Sequence, residues 1–245
     1  MPSLEIVAFA LAGGILPVLI WLFFWLKEDR ERPEPKKLIA RIFFAGALAV
    51  IAAYPLELLW CKLGFLSGAC VRLSANPVSM VIGSEKLLLV AWALTEEILK
   101  FLAAYVIALR SRHFDEPVDA MIYLITAALG FAALENSLFL FNALSESGSS
   151  ITTLLTGNFR FLGANVIHVI SSAVIGGMVG LSFKLGRGQR VLYVLIGLFT
   201  ATTLHAMFNF LIITTDSGGV FKIFAMLWLL AILIILLFER VKVNV

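Results

Sequence analysis

The chain has 245 residues, of which 61% are hydrophobic and only 14% are charged, and its mean hydropathy is +1.00. Soluble domains carry about 25% charged residues, so this composition excludes a soluble globular protein and indicates one that lies almost entirely in a lipid bilayer. The sequence contains no Gly-rich nucleotide loop, CxxC pair or HExxH motif, and we expect no nucleic-acid partner.

Seven apolar segments are long enough to cross a bilayer as helices, which takes about 20 residues each. They cover residues 4–26, 38–60, 87–109, 118–144, 159–183, 191–213 and 220–238. The sequence shows no internal repeat. The predicted fold is therefore an all-α polytopic membrane protein with about seven transmembrane helices, which form a single domain over residues 1–245.

The basic residues indicate how this domain is oriented in the membrane. The connection 27–37, with Arg41 just beyond it, is the most basic. Together with the connections after residues 109 and 183 and the C-terminal segment, it holds most of the 19 lysine and arginine residues. Cytoplasmic connections carry such an excess. We therefore predict an external N-terminus and a cytoplasmic C-terminus in the cell (inner) membrane.

The two cysteines, Cys61 and Cys70, lie in one connection, which this orientation places outside. A disulfide between them is chemically allowed in an oxidising compartment. Two free thiols remain the alternative.

The third segment carries three charges within apolar sequence: Glu96, Glu97 and Lys100. Each charge costs about 2.5–3.5 kcal/mol at the centre of a membrane helix. Spacings of three and four residues place all three on one helix face, so Lys100 can neutralise one carboxylate and leaves the other for another role. Because a structural ion pair needs only one glutamate, the second indicates a functional site.

The next three segments also carry polar residues within apolar sequence. These are Glu135 and Asn136 in the fourth, Asn165 and His168 in the fifth, and His205 and Asn209 in the sixth. Counted at 1.5 Å per residue from the external end of each span, the glutamates and histidines lie about 12–14 Å deep. Unrelated structural residues would not share one level, so we predict one water-accessible cavity on helices within residues 87–213.

Such a set of side chains allows more than one chemistry. A buried carboxylate can act as general base toward water, and histidine and asparagine can donate to a developing oxyanion. Two histidines and a glutamate are also the ligands of many hydrolytic zinc sites. Buried Glu, His and Lys relays occur in proton- or ion-coupled transporters as well, although this sequence lacks the inverted repeat typical of them.

Four motifs narrow the choice. They are Glu96-Glu97-x-x-Lys100; Phe114-Asp115-Glu116-Pro117-Val118-Asp119 followed by Tyr123 and Gly130-Phe131-Ala132-x-x-Glu135-Asn136; Arg160 eight residues before His168; and His205-x-x-Phe208-Asn209. In this order and spacing they resemble the PrsW family of intramembrane proteases, over about residues 78–210. Ala120 departs from the glycine expected after the aspartate.

The PrsW family is in turn similar to the CAAX prenyl proteases, with Glu135 here where those enzymes have the histidine of an F-x-x-x-H motif. The resemblance implies roles for the residues of the motifs. Glu96 would polarise the attacking water with help from Glu135 and His168, His205 and Asn209 would form the oxyanion site, Lys100 would hold Glu97, and Asn136 and Arg160 would support the site. Spacing alone leaves Glu97 open as the base.

The resemblance also implies what the protein does. It would be an endopeptidase that uses paired glutamates, without a cofactor, to cleave a single-pass membrane protein such as an anti-sigma factor near the external side of the bilayer. A zinc-dependent membrane protease and a proton- or ion-coupled transporter remain the alternatives.

Overall fold

The computed structural model of the chain describes residues 4–29, 32–63, 84–147, 151–215 and 219–243, without side-chain detail at 84, 146–147, 151–162 and 243. Every regular element within these ranges is a helix, which confirms the predicted all-α fold. The helices are α1 Leu4–Glu28, α2 Lys36–Lys62, α3 Ser84–Ala104, α4 Asp119–Ser147, α5 Ile151–Leu181, α6 Arg187–Thr214 and α7 Val220–Val243. A π-helical turn, Tyr105–Leu109, continues α3.

Six of these helices, all but α3, are long and apolar enough to cross a membrane. Helix α3 carries the charges of residues 96–100, and its place as a seventh span stays a prediction, as does the orientation of the termini. The helices extend beyond the predicted spans because they continue through polar flanking residues. The largest difference is in α5, which begins at residue 151 instead of 159.

Helices α4 and α5 form the centre of the bundle. Helix α4 packs against α1, α2 and α5, while α5 also contacts α6 and α7, and α3 packs against α2 and α6. Residues 119–133 of α4 are buried throughout by the neighbouring helices. Most of the polar side chains described on α4 and α5 are likewise enclosed by protein, whereas Glu135 is partly exposed.

Glycines allow α2 and α4 to cross with their backbones in contact. A Cβ at Gly46 would collide with the backbone of Ala127, and a Cβ at Gly130 would collide with the backbone of Phe43. Beyond this crossing, Trp60 donates a hydrogen bond to Thr95 (3.0 Å) and holds the end of α2 against α3. The crossing thus sets how far apart α2 and α4 lie around the site.

An acidic group of residues lies where α1 ends and α4 begins. The Tyr123 hydroxyl donates to Glu34 (2.6 Å), and the Asp119 carboxylate accepts the backbone N–H of Glu116 (2.7 Å). Asp29 is 3% exposed, and its burial, followed by the charges of Glu34 and Glu116, raises the pKa of Asp29 to about 7. Lys242 of α7 opposes that rise.

The connection between α2 and α3 lies mostly outside the described residues. Cys61, at the end of α2, is disulfide-bonded, as one of the two sequence alternatives anticipates. Its predicted partner, Cys70, is not among the described residues.

Candidate active site

Glu97 is anchored by hydrogen bonds from three helices. Its Oε1 accepts hydrogen bonds from Lys100 Nζ (2.7 Å), Ser171 Oγ (2.9 Å) and His205 Nδ1 (2.9 Å). Its Oε2 accepts one from Ser172 Oγ (3.3 Å). With a side chain that is 0% exposed and both oxygens engaged, Glu97 joins α3, α5 and α6 and has little freedom to reach a substrate.

Lys100 is fully buried beside Glu97 and connects it to a histidine. Its Nζ lies 2.8 Å from His168 Nδ1 and 4.9 Å from the centre of the Phe131 ring. An ammonium has hydrogens to donate and no lone pair, so Lys100 donates to Nδ1. The remaining proton of a neutral His168 is then on Nε2.

His168 directs that Nε2 toward Glu135, with a distance of 2.7 Å to Oε2. The Glu135 side chain is 40% exposed, whereas His168 is enclosed. The Phe131 ring packs against the imidazole with 5.5 Å between ring centres. The contacts therefore form a chain from Glu97 through Lys100 and His168 to Glu135, which is the end of the chain that open space can reach.

Glu96 differs from its neighbour in having an unoccupied oxygen. Its Oε2 is buried without a hydrogen-bond partner, and it lies 3.7 Å from His205 Nε2 and 3.9 Å from Lys100 Nζ. A buried carboxylate oxygen without a partner is unfavourable unless something else occupies the space beside it. Glu96 is thus the member of the pair whose carboxylate is available for a reacting molecule.

A cavity of about 80 Å³ lies next to these side chains. Its lining includes Glu135, Asn136, His168, His205 and Asn209. The side chain of Asn136 donates to Asn165 (2.9 Å) and is held at the cavity wall. The space is large enough for a few water molecules, given a volume of about 30 Å³ for each in the liquid.

The structure thus brings together eight of the nine residues that the sequence nominates. Glu96, Glu97, Lys100, Glu135, Asn136, His168, His205 and Asn209 lie in one contiguous group on α3 to α6. The ninth, Arg160, lies in the part of α5 whose side chains are not described. His205 is within 4 Å of both paired glutamates, as the predicted cavity requires, while their catalytic roles stay predictions.

Sequence reasoning missed some residues of this group. It assigned no role to Ser171 and Ser172, although both donate to Glu97. It also passed over Glu57 of α2, which lies with Glu135 in the lining of a second space. A carboxylate within an apolar span is a signal that could have found Glu57.

Three donors of the group are close enough to hold a metal ion. Glu96, His168 and His205 each offer an atom within 4.8 Å of the others, and the partnerless Glu96 oxygen is of the kind a cation binds. His205 gives its Nδ1 proton to Glu97, an outer carboxylate that metal-binding histidines commonly have. By donor type and spacing, these residues fit a divalent ion such as zinc.

Fold and site together define a polytopic helical membrane protein with an enclosed centre of carboxylates and histidines, an arrangement suited to hydrolysis within the bilayer. The family described as PrsW family intramembrane metalloprotease matches residues 34–237. The chain therefore belongs to the PrsW-protease family. This match is wider than residues 78–210, on which the sequence resemblance depends, and includes all of α2 and most of α7.

Relatives named Protease PrsW agree with this assignment. A protein named Protease PrsW from Clostridioides difficile is 28% identical over 81% of this chain and 77% of its own length. Proteins of the same name from Geobacillus kaustophilus and Bacillus subtilis are 26% and 25% identical, over 85% and 86% of this chain and 82% and 85% of their own lengths. No solved structure matches the chain significantly.

The family and the six apolar helices establish the general function. The protein is an intramembrane protease and a multi-pass membrane protein, consistent with the predicted inner-membrane location. Its substrate is embedded in, or attached to, the lipid bilayer in which the enzyme itself lies.

Proposed function

We propose that Glu96 is the general base that activates the water for peptide-bond hydrolysis. The observation that carries this proposal is the contrast between the paired glutamates. Both oxygens of Glu97 are engaged by neighbouring side chains, whereas Glu96 Oε2 has no partner. A base needs a free oxygen that can come within about 2.6–3.2 Å of the atom whose proton it removes, and Glu96 Oε2 is free to take such a position.

In this mechanism Glu97 is a positioning residue. Its carboxylate accepts a hydrogen bond from His205 Nδ1–H, which orients the ring. His205 Nε2 then faces the space beside Glu96 and acts as a donor there when it, too, carries a proton. Together with the Asn209 amide in the cavity wall, His205 supplies hydrogen bonds to the oxyanion that forms when water adds to the scissile carbonyl.

Transfer of a proton to the leaving group completes the reaction. When the tetrahedral intermediate breaks down, the leaving nitrogen must gain a proton. The Glu96 carboxyl, which holds the proton taken from the water, supplies it and so returns to the carboxylate form. Glu135, hydrogen-bonded to His168 over 2.7 Å and partly exposed, lies at the open side of the site and assists Glu96 in polarising the water.

The substrate, by family resemblance, is a single-pass membrane protein of the anti-sigma-factor kind. The predicted orientation puts the site nearer to the external side of the membrane, where the scissile bond of such a substrate would lie. The reaction is proposed to need no cofactor.

A metal-dependent form of the same function is the second candidate, which the donor set of Glu96, His168 and His205 favours. A divalent ion bound there would act as a Lewis acid toward water or the scissile carbonyl. His205 offers a lone pair on Nε2 in the tautomer that donates to Glu97. His168 would first have to give up its bond to Glu135, because Lys100 occupies its other nitrogen, so we place the metal-free form first.

The test uses purified full-length protein in liposomes with a panel of fluorogenic peptides, each with a single apolar span. Glu96→Gln should lower turnover by about 10²–10⁴ without weakening substrate binding. Glu239→Gln, at an exposed position of α7, should leave turnover unchanged. If Glu96→Gln and Glu97→Gln both cleave at the wild-type rate, the protease does not depend on these glutamates.

Metal dependence has its own measurement. Elemental analysis of the purified protein should find less than one equivalent of zinc or another transition metal, and a chelator should leave cleavage unchanged. One equivalent of metal, with activity lost to the chelator and restored by the ion, would establish the second candidate instead.

A further inference from the structure

A groove between α2 and α4 leads from the lipid-facing surface toward the site. Its volume is about 350 Å³, and its lining comprises Val50, Ile51, Ala53, Tyr54, Glu57, Phe131, Glu135 and Leu138. Ile51 and Tyr54 are 62% and 66% exposed, so one side of the groove opens outward. Glu135 lines both this groove and the 80 Å³ cavity, so the two spaces adjoin at a residue of the site.

Glu57 lies in this groove among apolar side chains. It lines the groove together with Glu135 of the site. Its backbone carbonyl accepts a hydrogen bond from Trp92 of α3 (3.3 Å), which ties this part of α2 to the helix of the paired glutamates. A carboxyl at such a place in a membrane span is costly without a function.

Intramembrane proteolysis creates a need that Glu57 can meet. A peptide bond must leave the helical conformation to be attacked, and each backbone group that is then unpaired in an apolar environment costs several kcal/mol. The groove offers apolar walls for the side chains of such a segment and a carboxyl that can hydrogen-bond its main chain. A carboxyl can do so in either protonation state, by accepting an N–H or by donating an O–H.

We propose that Glu57 is a substrate-binding residue, which hydrogen-bonds the main chain of an extended membrane-embedded segment of the substrate lying between α2 and α4. The inference rests on the proposed function, since it takes Glu96 and Glu135 as the reacting end of the path. It adds to that function a binding residue and the side from which the substrate arrives.

Kinetics with the single-span peptide that wild-type enzyme cleaves test the role of Glu57. Glu57→Leu should raise KM about 3- to 10-fold, the effect of one lost hydrogen bond, and change kcat by less than about twofold. Glu57→Gln retains a donor and an acceptor and should restore KM to near the wild-type value, with an unchanged pH profile. Wild-type KM in Glu57→Leu, or a kcat lowered tenfold or more in Glu57→Gln, would overturn the proposal.

Photo-crosslinking tests the groove independently of any loss of folding in the Glu57 variants. A photoreactive residue at Ile51 should crosslink to the same peptide in the slow Glu96→Gln background. Leu48, 63% exposed on the same helix, does not line the groove and serves as the matched control. Ile232 lies in a second groove, which is apolar and runs between α1, α5 and α7. It tests whether the substrate binds there instead.

The outcomes separate this inference from the proposed function. Crosslinking at Ile51 in clear excess over Leu48 and Ile232 supports the α2–α4 groove. Crosslinking at Ile232 instead, or equally at all three, overturns it even when the peptide is cleaved and Glu96→Gln is slow. A wild-type rate in Glu96→Gln contradicts the proposed function and leaves the crosslinking pattern as a separate result.

Discussion

Replacement of Lys100 by methionine tests how the charges of the site depend on one another. Lys100 is fully buried, lies 2.7 Å from Glu97 and 3.9 Å from Glu96, and donates to His168. Methionine keeps the length of the side chain and loses the ammonium. The paired carboxylates would then lack their nearest cation, and His168 Nδ1 would lack its donor.

The expected loss of stability is large. Removing one partner of a buried pair costs about 3–5 kcal/mol, against a total stability of about 5–15 kcal/mol for a typical domain. For a chain of this length each kcal/mol lowers the melting temperature by about 2–4 °C, so Lys100→Met should lower it by about 6–20 °C. Lys184→Met, at an exposed position, should change it by no more than about 2 °C.

A double-mutant cycle shows whether the ion pair causes the loss. Adding Glu97→Gln removes the carboxylate that Lys100→Met leaves without its cation, so the double variant should regain about 1–3 kcal/mol relative to Lys100→Met alone. It should stay inactive, because His168 lacks the Lys100 donor and His205 lacks the Glu97 carboxylate. Thermal unfolding in detergent and peptide cleavage are the two assays. Stability losses that simply add would refute the reasoning, since they would mean that the two charges do not interact.

Three further predictions concern other parts of the molecule. Asn209→Ala should lower turnover about 10²–10³-fold, as loss of an oxyanion donor does, and a wild-type rate in the peptide assay would remove Asn209 from the oxyanion site. Because the pKa of Asp29 is raised from 3.8 to about 7, its protonated form favours the folded state, and this contribution is lost as the pH rises through that range. Asp29→Asn should therefore be more stable than wild type. The difference in free energy of unfolding should grow from pH 4 to pH 7 and then level off, at up to about 4 kcal/mol; a pH-independent difference would contradict this. A reporter fused after Val245 should be active in the cytoplasm, and activity only outside would reverse the predicted orientation.

The sequence was enough to find the helices and most of the site because both follow from the cost of placing residues in lipid. A span must be apolar over about 20 residues, so each polar residue within it stands out. Glu96, Glu135, His168 and His205 were found in this way, and their common depth predicted that they would meet. Their contacts across α3 to α6 agree with that prediction.

The same reasoning could not separate Glu96 from Glu97. Both lie within one turn of Lys100, and helical spacing treats them alike. What distinguishes them is the face of α3 that packs against α5 and α6, where Ser171, Ser172 and His205 surround Glu97. Tertiary packing decides this, and a single sequence carries no direct record of it.

Glu57 was missed for a related reason. It lies only five residues from the end of α2, about 8 Å along the helix, where a carboxylate can be attributed to the membrane surface. Its significance comes from the crossing of α2 and α4 at Gly46 and Gly130, beyond which the groove brings it near Glu135. The glycines were visible in the sequence, but which helices they brought together was not.

The paired glutamates can be understood from the demands of a charged site within a membrane. A single carboxylate there would need a nearby cation and hydrogen-bond donors to stay ionised, and those partners would occupy the oxygens needed for catalysis. With two carboxylates, Glu97 makes the close contacts with Lys100, Ser171 and Ser172 and so holds α3 and α5 together. Glu96 then lies 3.9 Å from the same ammonium, and its Oε2 stays free to hydrogen-bond a substrate or a water molecule. The two residues are therefore not interchangeable. A site in which Glu96 had the hydrogen-bond partners of Glu97, and Glu97 had those of Glu96, should be inactive even though both carboxylates are retained.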